Sequence, residues 1–210
     1  MSRLMLVDDH ELVRAGLREL IANEPDFEIA AEAGTGAEAL DALRDQDIDI
    51  VVLDLSLPDY SGIDLMKSML AQRPNLRILI LSMHPEESYA RRIMRAGAHG
   101  YVNKGAAPDL LITAIRKVAG NGRFVSPALA ELLALDLAED GSAIPHERLS
   151  DREFEVFERL ARGASVSEIA EELNLSPKTV STHRSRILQK MDLQNNAELV
   201  RYAVKHGMLE

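Results

Sequence analysis

The 210-residue chain predicts an α/β domain with a doubly wound parallel sheet, followed by a small all-α domain. Three observations carry this. In residues 1–120, five short apolar runs each precede a segment with apolar residues at helical spacing. The polar residues of those runs gather at their C-terminal ends. Residues 147–210 show no strand pattern, only four short helical segments with marked starts.

Leu4-Met5-Leu6-Val7 reads as the first strand and runs into Asp8-Asp9; Leu12, Val13, Gly16, Leu17, Leu20 and Ile21 then recur at helical spacing. Glu28 to Ala33 is a second strand, with Gly34 and Gly36 in its turn, and Ala37 to Leu43 a second helix. Ile50 to Asp54 is the central strand. Its Ile50-Val51-Val52-Leu53 run is apolar and rich in β-branched residues, as a strand covered on both faces requires. Asp54 comes where that strand surfaces, and Pro58 with Asp59-Tyr60-Ser61-Gly62 breaks the backbone after it. Ile63, Leu65, Met66, Met69 and Leu70 form a third helix up to Pro74. Arg77 to Ser82 is another buried strand, and Glu86 to Ala96 a helix that stops at Gly97. Tyr101 to Lys104 is the last strand, and Pro108 to Ala119 the fifth helix, with proline in its first turn. Such alternation gives right-handed crossovers and, in its compact form, the strand order 2-1-3-4-5. The ligand crevice then lies outside the strand C-termini, between strands 1 and 3.

Composition narrows the function. There is no cysteine, which excludes disulfides and thiolate metal sites. No apolar run approaches the roughly 18 residues of a membrane span, and the N-terminus lacks a signal-peptide pattern, so a cytoplasmic location is expected. The net charge of -10 argues against nucleic acid. Its distribution does not, because Asn174 to Met191 holds Lys178, Arg184, Arg186 and Lys190 and no acid.

The predicted strand ends collect Asp8, Asp9, Asp54, Ser82 and Lys104. Three crowded carboxylates repel one another and call for a hard divalent cation such as Mg²⁺. A carboxylate can attack phosphorus and form an acyl phosphate, and Asp54 is the most central of the three. Lys104 would neutralise a phosphoryl oxygen and Ser82 would donate a hydrogen bond to another. Taken singly, Lys104 reads equally as a strand-end surface lysine and Ser82 as a strand-end cap. His10 reads as a loop residue opening the first helix, since zinc would need more His or Cys nearby. His84, before Pro85, reads as a loop residue.

Asp8-Asp9, Asp54 with Pro58 and Gly62, Ser82, Tyr101 and Lys104 together resemble the receiver domain of two-component response regulators. The resemblance implies a flavodoxin-like (βα)5 fold for residues 1–120, and an Asp54 that accepts a phosphoryl group from a histidine kinase. It implies Mg²⁺ held by Asp9, Asp54 and the Ser56 backbone carbonyl, with Asp8 assisting through water. It also implies a switch pair, Ser82 and Tyr101, with Ser82 standing where the family more often has Thr.

Residues 121–146 form a linker. Ala128, Leu129, Leu132, Leu133, Leu135 and Leu137 make an apolar stripe on a short helix starting near Pro127, and Glu139 to Pro145 reads as an acidic, flexible tether. Packing of that helix on its own domain is the preferred reading, and a dimer contact the other.

In residues 147–210, Ser150-x-x-Glu153, Ser165-x-x-Glu168 and Asn195-x-x-Glu198 each read as a capping box. The remaining helix starts Ser176-Pro177-Lys178-Thr179, with a cap and a first-turn proline but no acid at the third helical position. An absent acid suits a helix end that faces a polyanion. Val180, Ile187, Leu188 and Met191 are expected to face inward, leaving Lys178, Thr179, Thr182, His183 and Arg186 outward. A helix-turn-helix with a basic second helix reads the DNA major groove. A helical protein-interaction domain with a solvated basic face is the alternative.

Leu149-Ser150-x-Arg152-Glu153, Gly163-x-Ser165, Glu168-Ile169-Ala170, Leu173-x-Leu175-Ser176-x-Lys178-Thr179-Val180 and Lys190-Met191 resemble the four-helix LuxR-type helix-turn-helix domain of NarL/FixJ response regulators. The resemblance implies DNA contacts by Lys178, Thr179, Val180, Thr182, His183 and Arg186, with Val180 both packing and touching a thymine methyl. Lys190 is expected to meet a phosphate, and the last helix, Ala197 to His206, to dimerise. The whole chain is then a phosphorylation-dependent transcription regulator and not an enzyme. Its expected partners are a sensor histidine kinase, double-stranded DNA with inverted-repeat half-sites, RNA polymerase, and a second copy of itself when phosphorylated. Two other classes are the alternatives. An aspartyl-phosphate enzyme would need a second catalytic acid and a cap segment, and no segment fits a cap. A constitutive DNA-binding protein would use the first domain only as a dimer platform. No Walker-type loop points to direct ATP use.

Overall fold

The computed structural model of the chain describes residues 1–83, 86–127, 129–131 and 145–209. The five apolar runs form strands β1 (Ser2–Val7), β2 (Phe27–Ala33), β3 (Ile50–Leu53), β4 (Arg77–Ser82) and β5 (Gly100–Asn103). They pair in parallel in the order β2-β1-β3-β4-β5, the order the alternation predicts. Register places Val7 beside Leu53 and Leu53 beside Ile80, so β1 and β3 end level on one edge while β4 runs two residues further, to Ser82. Between them run α1 (Glu11–Ala22), α2 (Gly36–Asp45), α3 (Gly62–Gln72), α4 (Glu86–Arg95) and α5 (Pro108–Ala119).

All four residues of β3 are buried, which is why its sequence does not alternate. Leu4, Leu6, Ile50, Val52 and Leu79 pack against Leu17 and Ile21 of α1 and Leu111, Ile115 and Val118 of α5. The intervening Met5, Val51, Ile78 and Ile80 are as fully buried and belong to the other face. β5 starts one residue earlier than its apolar run suggests, because Gly100 packs against Phe124. A Cβ at Gly100 would lie 3.0 Å from the Phe124 carbonyl oxygen and 2.8 Å from Leu79 Cδ1. The Tyr101 amide donates to that same carbonyl.

The chain divides into two compact units, Met1–Leu133 and Ala134–Glu210. The division falls inside the stretch read as a linker. Pro127 and residues 129–131 are helical, and Leu129 is buried. The rest of the leucine stripe, most of the acidic tether, and His84 with Pro85 lie outside the described residues.

In the second unit a short 3-10 turn (Pro145–Arg148) leads into α6 (Asp151–Ala161), α7 (Val166–Glu172), α8 (Pro177–Met191) and α9 (Asn196–Lys205). α6 packs on α8 and α9, and α7 packs on α8. Phe154, Phe157, Leu160, Ile169, Val180, Ile187 and Leu199 form the core. The capping boxes of Ser150–Glu153 and Ser165–Glu168 are both reciprocal. The third is not. Asn195 Oδ1 accepts from the Glu198 amide at 3.0 Å, but Glu198 Oε2 reaches past the cap to the Gln194 amide at 2.7 Å. The turn between α7 and α8 holds Asn174 at φ 51°, a left-handed conformation that asparagine tolerates. Among the described residues no helix is long and apolar enough to cross a membrane.

Candidate functional site

Backbone bonding carries the sheet one residue past its strand ends. The Asp8 amide donates to Ala33 O, Asp54 to Val7 O and Lys104 to Ser82 O. That places three charged side chains side by side on the C-terminal edge. Lys104 Nζ lies 2.7 Å from Asp54 Oδ2 and 2.7 Å from Asp8 Oδ2. Asp8 and Asp54 are each only 2 % exposed. Asp9 is exposed, and its Oδ1 lies 2.6 Å from His10 Nδ1. Asp8 Oδ1 accepts from the His10 amide at 2.8 Å. His10 caps α1 by position, as the sequence suggests, yet its ring joins the acidic group. Ligand atoms of Asp8, Asp9, His10 and Asp54 all lie within 4.8 Å of one another, a span that one divalent cation with water in its shell can bridge.

One ammonium here serves two buried carboxylates. Burial raises the pKa of Asp54; the hydrogen bond and charge of Lys104 oppose that rise, and Asp8 adds to it. Burial alone would lower the pKa of Lys104, but hydrogen bonds to Asp54 and Asp8 outweigh it and raise the value. Lys104 is therefore held as a cation while Asp54 is under-neutralised. The cluster is short of positive charge, and its hard oxygen donors suit Mg²⁺. Ser82 and Tyr101 are both buried. Tyr101 pairs with Ile80 and Asn103 with Ser82, so Tyr101 sits on the face of Ser82, one pair back from the edge. Ser56 follows the edge on an exposed turn, and its backbone also hydrogen-bonds the Asp54 carboxylate.

In the second unit, α8 turns a polar face outward made of Lys178, Ser181, Thr182, Ser185, Arg186 and Gln189. Four of the expected contact residues sit differently. Val180 is 0 % exposed and belongs to the core with Ile187 and Met191, so it has no surface to offer a base in this conformation. Its position follows from helical phase, since Val180, Ile187 and Met191 lie seven and eleven residues apart on one stripe. His183 is half-buried, with Nδ1 lacking a hydrogen-bond partner among the described residues. Burial, reinforced by Arg152 and Arg186 and opposed by Glu153, lowers its pKa, which favours a neutral ring over an outward cation. Lys190 Nζ donates to Glu153 Oε2 at 2.6 Å and so braces the cap of α6. Burial of Glu153 is outweighed by hydrogen bonds from Lys190 and Ser150, which lower its pKa. Thr179 is half-buried, with Oγ1 2.7 Å from Ser176 Oγ. Ser181 and Ser185, missed from the sequence, stand fully on the outward face. They are legible only once Val180 fixes the helix phase.

Val180→Ala tests that correction. Removing two buried methyl groups should cost about 2 kcal/mol of stability in the second unit. Chemical denaturation followed by far-UV dichroism reads this loss. DNA affinity of the fraction that remains folded should stay within about twofold of the parent.

Residues 4–116 match the response regulator receiver domain, and residues 147–203 match the bacterial regulatory proteins of the luxR family. The chain belongs to the NarL/FixJ family of two-component response regulators. This response regulator is 35% identical over 209 residues to response regulator UvrY of Escherichia coli K12, covering 99% of this chain and 96% of that one. It is 39% identical over 200 residues to transcriptional regulatory protein UhpA of Salmonella typhimurium LT2, covering 95% and 96%. Among solved structures it is similar to RcsB of Salmonella enterica serovar Typhimurium bound to promoter rprA in the presence of phosphomimetic BeF3-. That likeness has a TM-score of 0.70 at 26% identity and covers 97% of this chain and 99% of that one. The regulator is a phosphorylation-dependent, DNA-binding transcription regulator of a two-component system and not an enzyme. Its receiver implies a histidine kinase as partner.

Proposed function

We propose that Asp54 is the phosphoacceptor of this regulator and that the outward face of α8 reads its operator. The observation that carries the first half is Lys104 Nζ at 2.7 Å from both Asp54 and Asp8, on the sheet edge where the strand order opens a crevice. An Asp54 carboxylate oxygen attacks phosphorus as the bond from phosphorus to the kinase histidine nitrogen breaks, leaving an aspartyl phosphate. Lys104 already touches Asp54 and is placed to hold a phosphoryl oxygen. Asp8, Asp9, Asp54 and the Ser56 carbonyl would hold Mg²⁺, which when bound supplies the positive charge the cluster lacks. Ser82, buried on the same edge, would donate to the phosphoryl group, with Tyr101 packed behind it as its switch partner. Intact mass after incubation with acetyl phosphate and Mg²⁺ tests this. The wild type should gain one phosphoryl group and Asp54→Asn none. Equal labelling of the two would move the acceptor elsewhere.

For DNA, Lys178 and Arg186 suit phosphates or guanine, and Thr182 suits either a base edge or a thymine methyl. Thr179 and His183 sit at the margin of this face, and Lys190 contributes through Glu153. Phosphorylation would shift the regulator toward a homodimer in the cytoplasm that grips inverted-repeat half-sites and meets RNA polymerase.

Thr179→Glu separates the DNA face from the fold. Ser176 already caps the Thr179 amide at 3.1 Å, so a glutamate there would complete a capping box and leave the melting temperature unchanged or higher. The same carboxylate would meet DNA phosphate and should cost at least about 2 kcal/mol, roughly thirtyfold in affinity. Retained DNA affinity would count against this end of α8 as the DNA-facing end.

A further inference from the structure

The loop from Leu55 to Gly62 carries Ser56, yet it is pinned at few points. Its base closes through the Ser56–Ser61 antiparallel bridge. There the backbone of Gly62 lies directly on Leu55, and a Cβ on Gly62 would fall 2.5 Å from Leu55 Cα. Pro58, at the tip, has no amide to anchor. The anchor is Asp59. Its Oδ1 accepts from the Gly36 amide at 2.8 Å and its Oδ2 from the Ala37 amide at 3.0 Å. Those are the first two amides of α2, which a helix cannot satisfy internally and which favour a negative partner. Thr35 Oγ1 takes the third, from Glu38, at 3.2 Å. Tyr60 seals the joint, since a Cβ on Gly36 would lie 2.6 Å from its Cδ2. Gly36 is therefore fixed by close approach of a ring from another element.

Asp59 follows Asp54 closely in sequence, but it is absent from the group whose ligand atoms converge on one point. Both of its oxygens are already spent on α2. A cation site requires its donors to be held closely, by groups outside the ligand shell as well as within it.

Resting on the reading of Asp54 and Ser56 above, we infer that Asp59 is a positioning residue for the Mg²⁺ and phosphorylation site. Its fork onto α2 holds the loop so that the Ser56 carbonyl stays where the cation needs it. Without the fork, the loop tip would be free to rock about the Ser56–Ser61 bridge. α2 is thereby part of the site's frame although none of its side chains reaches the acids.

The test is Mg²⁺ affinity of the full-length regulator, measured by amide resonance shifts, for the wild type, Asp59→Ala and Asp59→Asn. Asp59→Ala should weaken Mg²⁺ binding about tenfold, and Asp59→Asn, which keeps one acceptor for an α2 amide, by less. At saturating Mg²⁺, phosphoryl uptake from acetyl phosphate should return to the wild-type extent. The Ser56 and Leu57 amides should shift in the metal-free Asp59→Ala protein, which a role confined to capping α2 would not produce. A variant that binds Mg²⁺ as tightly as the wild type overturns the positioning role alone. A wild type that takes up no Mg²⁺ overturns the site reading and this inference with it.

Discussion

Lys104→Met will destabilise the metal-free regulator by about 3 kcal/mol, because it leaves two buried carboxylates facing each other with no cation between them. Methionine keeps most of the aliphatic stem, so the loss isolates the ammonium rather than the packing. Asp8 and Asp54 both rely on that nitrogen, at 2.7 Å each. Two further outcomes follow from the same geometry. Mg²⁺ should recover most of the loss, since it supplies the missing charge at the same acids. Acidification should recover it as well, because a protonated Asp54 no longer needs a counter-ion. Thermal melts with and without Mg²⁺, at pH 7 and near pH 4, read all three. A variant as stable as the wild type in chelator would show that the two acids are neutralised by another route.

Asp54→Asn will act in the opposite direction and stabilise the metal-free protein. Burial holds the folded pKa of Asp54 above its ordinary value of 3.8, which means the folded state disfavours the charged form. Stability from a carboxyl with a raised folded pKa is full below the unfolded pKa and is lost as pH rises through that value toward the folded one. At neutral pH the wild type therefore carries this cost, and asparagine removes it while Lys104 keeps Asp8 as partner. We expect a gain of about 1 kcal/mol, roughly 4 °C in melting temperature for a unit of this size. The gain should shrink to nothing as pH falls toward 3.8. The same substitution should remove most of the stabilisation that Mg²⁺ gives the wild type. A lower melting temperature for Asp54→Asn at pH 7 would mean that the Lys104–Asp54 pair outweighs the desolvation of Asp54.

The receiver unit was legible in the sequence because a parallel sheet leaves a strong mark. Buried strands must be apolar throughout, so Ile50 to Leu53 and Arg77 to Ser82 announced themselves, and the polar residue ending each run marked the functional edge. Strand ends shifted by one residue where pairing rather than hydropathy sets the boundary, as at Gly100 beside Phe124. Convergence of Asp8, Asp54 and Lys104 follows from strand order. The sharing of one ammonium between two acids does not, because it depends on side-chain reach. Nor did the sequence reveal Asp59 as a clamp, since it lies in a loop and its partners lie 22 and 23 residues away at the start of α2.

In the second unit, caps were readable because they are local. Ser150 and Ser165 bond three residues ahead, as their spacing requires. Glu198 had two amides within reach and took the earlier one, which spacing alone does not decide. The outward face of α8 was blurred for a different reason. A helix rich in Ser, Thr and basic residues has a weak apolar phase, so His183 reads as outward although it is half-buried, and Lys190 reads as a phosphate contact although Glu153 of α6 already pairs with it. Ser181 and Ser185 are small and were passed over beside the longer basic side chains.

The central claim is that one phosphoryl group on Asp54 controls how α8 meets DNA. The most direct measurement is DNA affinity at fixed salt on a single preparation, before and after it takes up phosphoryl from acetyl phosphate, with Asp54→Asn treated in parallel. The account predicts tighter binding by the singly phosphorylated wild type and no change in Asp54→Asn. A wild type that gains the phosphoryl group and binds DNA no more tightly would contradict it.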